Sequence, residues 1–511
     1  MMSTPMLGRH TLLINPPLIN GVAFTRQGRC QEREDVLGTT KPPYTLALAA
    51  SLLREAGCDV RLIDATAERL SIDEVMARLE RDAFIPTLIV FPSTTPTLDA
   101  DVAAMARLKA KYGAPIFCFG PHASTAAAQS MARVPAIDGM FVGEPEDGIV
   151  QLATLPSVAQ LTEVPSLTWR PSAGGAVVVH RAHGSFARFG AMPYPAWDLV
   201  SLDGYSLPLV NKRYVIVETS RGCPYTCDFC VAPIHQGHKF RERSPKSLVD
   251  EIERSYRELG VEFFYLWGDT VTLNVKSFSA FCDELIARNL PIQWFGNARA
   301  DNLTDPAFVH RLKRAGCWML ALGIESESDE VRKDMVKRLE REKIQAAFRN
   351  MREAGIRSFA FFIFGYPGET PETMDHTIDY AIRLDPDFAN FYPAVPYPGT
   401  ALYEKVVRES LLPESARDDW AKMEYSYYLL RGNGLDDRLV MEAINRAKRR
   451  FFLRPGYMAR HVGDVARIAL SKQSIVWQVL SRTLFGSKVV DTSARPGTPA
   501  GRDLSPAAPP S

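Results

Sequence analysis

The chain has little charge imbalance, no long apolar run and no dense set of cysteines. Its 60 lysines and arginines meet 59 aspartates and glutamates, a net charge of +1. That balance gives no electrostatic case for nucleic acid as the main partner. No uninterrupted apolar run approaches the ~20 residues that span a bilayer. Residues 1–9 hold no apolar stretch of the signal-peptide kind. Eight cysteines spread over 511 residues do not make a disulfide framework, and they point to a reducing, cytoplasmic setting. What is present suits a globular protein: 46% hydrophobic and 23% charged residues, in a length that suggests about three domains.

Three of the cysteines are concentrated. Cys223, Cys227 and Cys230 stand at C-x3-C-x2-C spacing within Arg221-Gly222-Cys223-Pro224-Tyr225-Thr226-Cys227-Asp228-Phe229-Cys230. They follow the apolar run 214–217, which reads as a strand, so they occupy the loop at its carboxyl end. A loop this short can turn three thiolates toward one centre, and soft sulfur donors suit zinc or an iron–sulfur cluster. A Cys3His zinc site would take His235 or His238 as its fourth ligand. A 4Fe-4S cluster takes four cysteines as a rule, so three leave one iron open. Plain buried thiols are the third reading, and it is the default for Cys58, Cys118, Cys282 and Cys317, which sit in or beside apolar runs.

Before the motif, strand-like runs at 11–15, 59–63, 87–91, 115–119 and 139–142 alternate with helical segments at 44–56, 72–81, 99–112 and 124–132. Five alternations imply a parallel, doubly wound α/β sheet, Rossmann-like or flavodoxin-like, over 9–156. Such sheets bind ligands beyond the carboxyl ends of their strands. The contact loops are then Asn15-Pro16-Pro17, Ser93-Thr94-Thr95, Gly120-Pro121-His122 and Gly143-Glu144. Residues 157–213 are punctuated by proline and glycine and read as a connector, with a small hairpin at 166–170 and 176–180.

From 214 to 400, strand runs at 215–219, 263–267, 292–295, 318–322, 358–364 and 388–392 alternate with helices at 245–259, 278–288, 306–315, two more through 354, and 371–383. Six β/α units fit a partial TIM-type barrel, in which chemistry gathers at the carboxyl ends of the strands. The polar motifs fall there: the cysteine loop, Gly268-Asp269-Thr270, Gly296 to Asp301, Gly323-Ile324-Glu325-Ser326, Gly365-Tyr366-Pro367-Gly368-Glu369 and Pro396-Tyr397-Pro398-Gly399. A zinc module does not account for that coincidence.

The cysteine spacing, with Phe229 before the third cysteine, and the six units after it resemble the radical S-adenosylmethionine (SAM) superfamily. The resemblance implies a 4Fe-4S cluster on Cys223, Cys227 and Cys230. Its open iron would bind SAM, whose reductive cleavage yields a 5′-deoxyadenosyl radical. It implies that Phe229 and Gly365 lie near the adenine, and that Gly268 and Asp269 lie near the amino group. Glu325, Ser326 and Arg299 would hold ribose, carboxylate or substrate. Each has a plain alternative: Asp269 as a turn cap, Arg299 paired with Asp301 or Glu325, the glycines as turn residues.

The first domain resembles the cobalamin-binding domain of one subclass of these enzymes, with Asn15, Ser93, Thr94, Thr95, Gly120, Gly143 and Glu144 as contacts. It departs from the D-x-H-x-x-G motif whose histidine ligates cobalt. No histidine here has Asp two before and Gly three after, so cobalamin would bind without a protein histidine, and His122 reads as a loop histidine bonded to backbone.

In the helical region 401–490, Phe451-Phe452-Leu453-Arg454-Pro455-Gly456-Tyr457 resembles enzymes such as the anaerobic magnesium-protoporphyrin monomethyl ester cyclase and radical enzymes of hopanoid metabolism. The basic stretch 460–485 reads either as a peripheral membrane contact or as a solvated helix. Residues 491–511 have the composition of a disordered tail.

The leading expectation is a cobalamin-dependent radical SAM enzyme that methylates or oxidatively remodels an unactivated carbon of a small or lipid-like substrate. Flavodoxin or ferredoxin would supply electrons. An oxidative cyclase on a tetrapyrrole and a non-catalytic cobalamin or metal sensor with structural zinc stand beside it. A tRNA methylthiotransferase fits less well, because Cys30, Cys58 and Cys118 are too dispersed for a second cluster.

Overall fold

A computed structural model describes residues 6–26, 40–171, 175–179, 182–207, 209–432 and 434–471. Cys30, the tail from 491 and most of the basic 460–485 stretch lie outside them.

The first layer is a seven-stranded sheet. Its strands are β1 (His10–Asn15), β2 (Asp59–Asp64), β3 (Leu88–Pro92), β4 (Ile116–Phe119), β5 (Gly139–Phe141), β6 (Leu167–Trp169) and β7 (Val178–Val179). The order is β2-β1-β3-β4-β5-β6-β7, parallel through β5 and antiparallel beyond it. This is the doubly wound order with a switch point between β1 and β3. Strands β1, β3, β4 and β5 are apolar runs buried on both faces, as helices on both sides require. Those helices are α1 (Tyr44–Glu55), α2 (Ile72–Arg81), α3 (Leu98–Tyr112), α4 (Pro121–Arg133) and α5 (Glu146–Thr154). Ser71 caps α2 in a reciprocal box with Glu74, and Gly113 ends α3 at φ +67°.

The hairpin expected in the connector does form. Its strands β6 and β7 extend the first sheet rather than standing apart. The edge of β5 is an open hydrogen-bonding rail, and β6 pairs with it from Gly139 to Phe141. The other end of the connector, β8 (Ser206–Leu207), pairs with the next sheet.

That second sheet has the order β16-β15-β14-β13-β12-β9-β8. Six parallel strands follow chain order: β9 (Lys212–Glu218), β12 (Phe263–Trp267), β13 (Gln293–Ala298), β14 (Cys317–Glu325), β15 (Arg357–Phe364) and β16 (Phe388–Pro393). Between β9 and β12 a two-residue ribbon pairs β10 (Ser220–Arg221) with β11 (Arg241–Glu242), with α6 (Ala232–Gln236) in its loop. The crossover helices are α7 (Pro245–Leu259), α8 (Val275–Arg288), α9 (Pro306–Arg314), α10 (Asp329–Asp334), α11 (Arg341–Ala354) and α12 (Pro371–Leu384). Pro245, Pro306 and Pro371 each open a helix whose preceding Ser, Asp or Thr caps it. The expected partial (β/α)6 barrel is therefore present, open at β16. Its outer face carries α15 (Asp437–Phe452), packed on α12 and β16; α13 (Ala401–Arg408), whose Leu402 N–H donates to the Asp228 carbonyl of the cysteine loop, α14 (Glu414–Arg417) and α16 (Pro455–Ser471) complete the C-terminal region. Arg357 of β15 ties α16 down through both oxygens of Asp464, at 2.9 and 3.0 Å. Among the described residues no helix is long and apolar enough to cross a membrane.

Candidate active site

A cavity of about 250 Å³ opens at the carboxyl ends of the barrel strands. Cys223, Cys227 and Cys230 all line it. The loop that carries them turns at Gly222, whose φ is +81° and whose missing Cβ would lie 2.3 Å from the Lys239 carbonyl. Cys223 N–H then donates to the Gly237 carbonyl at 3.1 Å, and Asp228 N–H to the Met335 carbonyl at 3.2 Å. The loop is thus pinned at both ends to different parts of the barrel. Cys58, Cys118, Cys282 and Cys317 differ: burial pushes their thiols up, which keeps them neutral. They are core residues.

Of the two histidines of the zinc reading, His235 has Nδ1 2.9 Å from Ser124 Oγ of the first domain and burial pulls its pKa down to about 4, and neither it nor His238 lines the cavity. Among the described residues no three His, Cys, Asp or Glu side chains are grouped to hold a single ion. Ligands to separate irons of a cluster need no such convergence.

Around the thiols the strand ends supply a graded wall. Phe229, Asp269, Arg299 and Glu325 line the cavity as expected. Arg299 donates to Asp301 at 2.9 Å while its guanidinium sits 3.7 Å over the Tyr225 ring of the cysteine loop. Glu325 is held at φ +69° and pairs with Lys337 at 2.7 Å. Asp228, between two cysteines, accepts from Tyr366 OH at 2.5 Å, and burial raises its pKa.

Three expected contacts lie behind the wall. Ser326 does not line the cavity; its hydroxyl is 3.3 Å from Thr377 Oγ1. A Cβ at Gly268 would meet Ser220 Oγ at 2.5 Å, so this glycine packs β12 against the start of the cysteine loop. A Cβ at Gly365, at φ +76°, would meet the Tyr428 ring at 2.5 Å. These are close-approach positions.

The first domain presents the loops after β3, β4 and β5. Among the described residues none bonds the buried Ser93 Oγ, which a bound group could satisfy. Gly120, at φ +119°, lets the β4 loop pass the Ser93 carbonyl, which a Cβ would approach to 2.7 Å. Thr94 and Thr97 bond each other at 2.9 Å, and Thr95 bonds His122 at 3.1 Å. A backbone-lined edge with one unmet hydroxyl fits a large corrin with amide arms. His122 has its other ring nitrogen 2.8 Å from Ser130 Oγ, and burial takes its pKa down to about 3. Its partners are side-chain hydroxyls rather than backbone, and both nitrogens are committed.

Two further contacts have structural work. Asn15 donates to Asp64 at 2.8 Å, and Tyr205 donates to the same carboxylate. Glu144 accepts from Phe186 N–H at 2.6 Å and pairs with Arg221 and Arg241. Arg221 also reaches Glu146 at 2.6 Å and Glu218 at 2.8 Å. One guanidinium, two residues before Cys223, thus joins the first domain to the barrel, and Gly143, at φ +86°, makes the turn that delivers Glu144. The cavity also receives Thr25 and Lys41 from the first domain. Lys337, Lys41 and the glutamate partners of Arg221 carry no motif signal; Arg221 and Tyr225, inside the cysteine run, were within reach of sequence reading.

Residues 217–381 match the radical SAM superfamily, and residues 35–153 match the B12 binding domain. The chain carries a radical SAM domain and a B12-binding domain. A radical SAM domain implies a 4Fe-4S cluster and SAM, and its partner domain implies cobalamin. This radical SAM protein is 27% identical over 430 residues to an uncharacterized methyltransferase of Pyrococcus horikoshii, covering 84% of this chain and 91% of that one. It is 27% identical over 434 residues to the anaerobic magnesium-protoporphyrin IX monomethyl ester cyclase of Cereibacter sphaeroides, covering 82% and 68%. Its fold matches TsrM from Kitasatospora setae, a radical SAM methyltransferase solved with tryptophan and a SAM analogue (TM-score 0.64, 19% identity, 88% and 90% coverage). It also matches the cobalamin-dependent radical SAM enzyme OxsB (TM-score 0.66, 16% identity, 94% and 73% coverage).

Proposed function

We propose that this protein is a cobalamin-dependent radical SAM enzyme that methylates or oxidatively remodels an unactivated carbon of a small or lipid-like substrate. The observation that carries the reading is convergence. Three cysteines, the ends of six strands and two side chains of the first domain line one cavity. When bound, the cluster and SAM supply a radical able to take hydrogen from carbon, and cobalamin supplies a methyl group. The chain's own part is to hold and shield. Cys223, Cys227 and Cys230 would hold three irons. Phe229, Asp269, Arg299 and Glu325 would face SAM. Ser93, Thr94, Thr95, Gly120 and Gly143 would border the corrin, while Asn15 and Glu144 fix the loops beside it. The aromatic wall excludes water from the reacting centre. A flavodoxin or ferredoxin is the proposed electron donor.

Relatives of equal identity include a methyltransferase and a cyclase, so an oxidative cyclase on a tetrapyrrole is the second reading. Anaerobic reconstitution tests both. About four irons per chain and 5′-deoxyadenosine after reduction are expected; zinc without iron, and no cleavage of SAM, would contradict the enzyme reading. Deuterated methyl-SAM then separates the two outcomes, because only methylation carries label into product.

A further inference from the structure

The wall of the cavity changes character below the level of the cysteines. The charged lining residues are Asp269, Arg299, Glu325 and Lys337, on the strand ends and the loop after α10, and Lys41 of the first domain, whose Nζ lies 5.9 Å from the centroid of the Tyr265 ring. The rest of the lining is dominated by rings, and the rings fall in two panels. On β12 and β13, Tyr265 and Phe295 stack with centroids 4.6 Å apart and planes 2° from parallel. On β15 and β16, Phe361 and Tyr392 stack at 6.1 Å and 24°, and Tyr425 continues that panel 4.1 Å from Tyr392.

Between the panels runs β14, which offers the cavity Ala321 and Gly323 rather than a third row of rings. The two ring panels therefore flank a low strand. A floor closes the bottom, where Leu209, Met319, Phe359 and Phe388 pack together. The panels are not part of that closed packing alone. Phe295, Ala321, Phe361, Tyr392 and Tyr425 each keep some exposure, all of them lining the cavity. Ring faces left open in a protein interior are surface that a ligand covers. Each panel also carries one amide: Asn297 donates to Tyr265 OH at 2.9 Å, and Asn390 donates to Tyr392 OH. These hold the phenol rings in plane with their panels.

We infer that the cavity seats a flat ring system of the substrate, resting on Ala321 between the Tyr265–Phe295 and Phe361–Tyr392–Tyr425 panels. Offset stacking on flat rings rewards a planar occupant more than a flexible chain, which would lose rotational freedom to fit a slot. This inference rests on the proposed function for its location, since it makes the ring the part of the substrate brought toward the cysteines.

The test uses two probes with the same head group. Reconstituted full-length protein is titrated anaerobically with 1-pyrenebutyrate, a flat ring bearing a carboxylate, and with palmitate, a chain bearing the same group. Pyrenebutyrate is expected to bind saturably, near one per chain, and at least tenfold more tightly than palmitate. Ala321→Leu, which raises the floor of the slot, is expected to weaken it at least tenfold. If that variant loses its cooperative melt, Tyr392→Leu replaces it, with an expected loss of severalfold. Equal or tighter binding of palmitate, no saturable binding of pyrenebutyrate, or affinity unchanged by the folded variant would overturn the inference. Iron content and SAM cleavage are measured on the same preparation. Their absence contradicts the enzyme reading, whereas their presence with no preference for the ring probe contradicts the slot.

Discussion

Glu369 is a carboxyl group held where a charge is costly. It is completely buried in the loop after β15, and burial pushes its pKa up to about 8, against backbone donors from Tyr366 and Gly365 that favour the ionised form. The folded protein therefore keeps a proton that the unfolded chain releases. Stability contributed by that proton is full below the ordinary carboxyl value of 4.5 and is lost as pH rises toward 8. The loss runs at about 1.4 kcal/mol per pH unit in that window as an upper bound. Glu369→Gln keeps an acceptor and removes the titration. It should melt above the parent at pH 8, with the gap closing toward pH 5. A gap that stays constant with pH would mean that Glu369 is ionised in the fold.

At the scale of elements, most of the architecture was legible because local signals agree. The helix at 72–81 has its Ser71–Glu74 cap and its apolar stripe, and it forms at those residues. The strands 263–267 and 358–364 are runs of aromatics and β-branched residues bounded by glycine, and they form within one residue of expectation. What escaped was side-chain direction at strand ends. Ser326 and Glu325 are neighbours in sequence, yet only Glu325 meets the cavity, because β14 ends at Glu325 in a left-handed turn that no local pattern announces. Gly268 and Gly365 are also places where another side chain comes too close for a Cβ. Gly222 is the one glycine here whose backbone sets the cysteine loop. Gly222→Ala adds strain of roughly 1–3 kcal/mol from the left-handed conformation, and a Cβ 2.3 Å from the Lys239 carbonyl. The expected result is a modest drop in melting temperature with reconstituted iron falling well below the parent's. Full iron retention would show that the loop tolerates a different path.

At the scale of the whole molecule, the two sheets are joined by a few long side chains that no local pattern encodes. Arg221 meets Glu144 and Glu146 of the first domain and Glu218 of the barrel, and all four are almost fully buried. Removing one partner of such a set leaves an uncompensated buried charge, which costs about 3–5 kcal/mol. Thr25 and Lys41 cross the same boundary into the cavity. Sequence reading found both halves of the site separately, from cysteine spacing and strand alternation. It did not find what locks them together, because those contacts span 75 residues or more and depend on reach rather than on periodicity.

The central claim is that the cysteine loop and the first domain, through Thr25 and Lys41 rather than the loops after β3, β4 and β5, serve one cavity. Electron paramagnetic resonance of a single sample, holding the reduced cluster and cob(II)alamin, tests it most directly. The account predicts mutual broadening and faster relaxation of the two signals, lost when Cys227→Ala removes the cluster. Two sharp, independent spectra at full occupancy of both cofactors would contradict it.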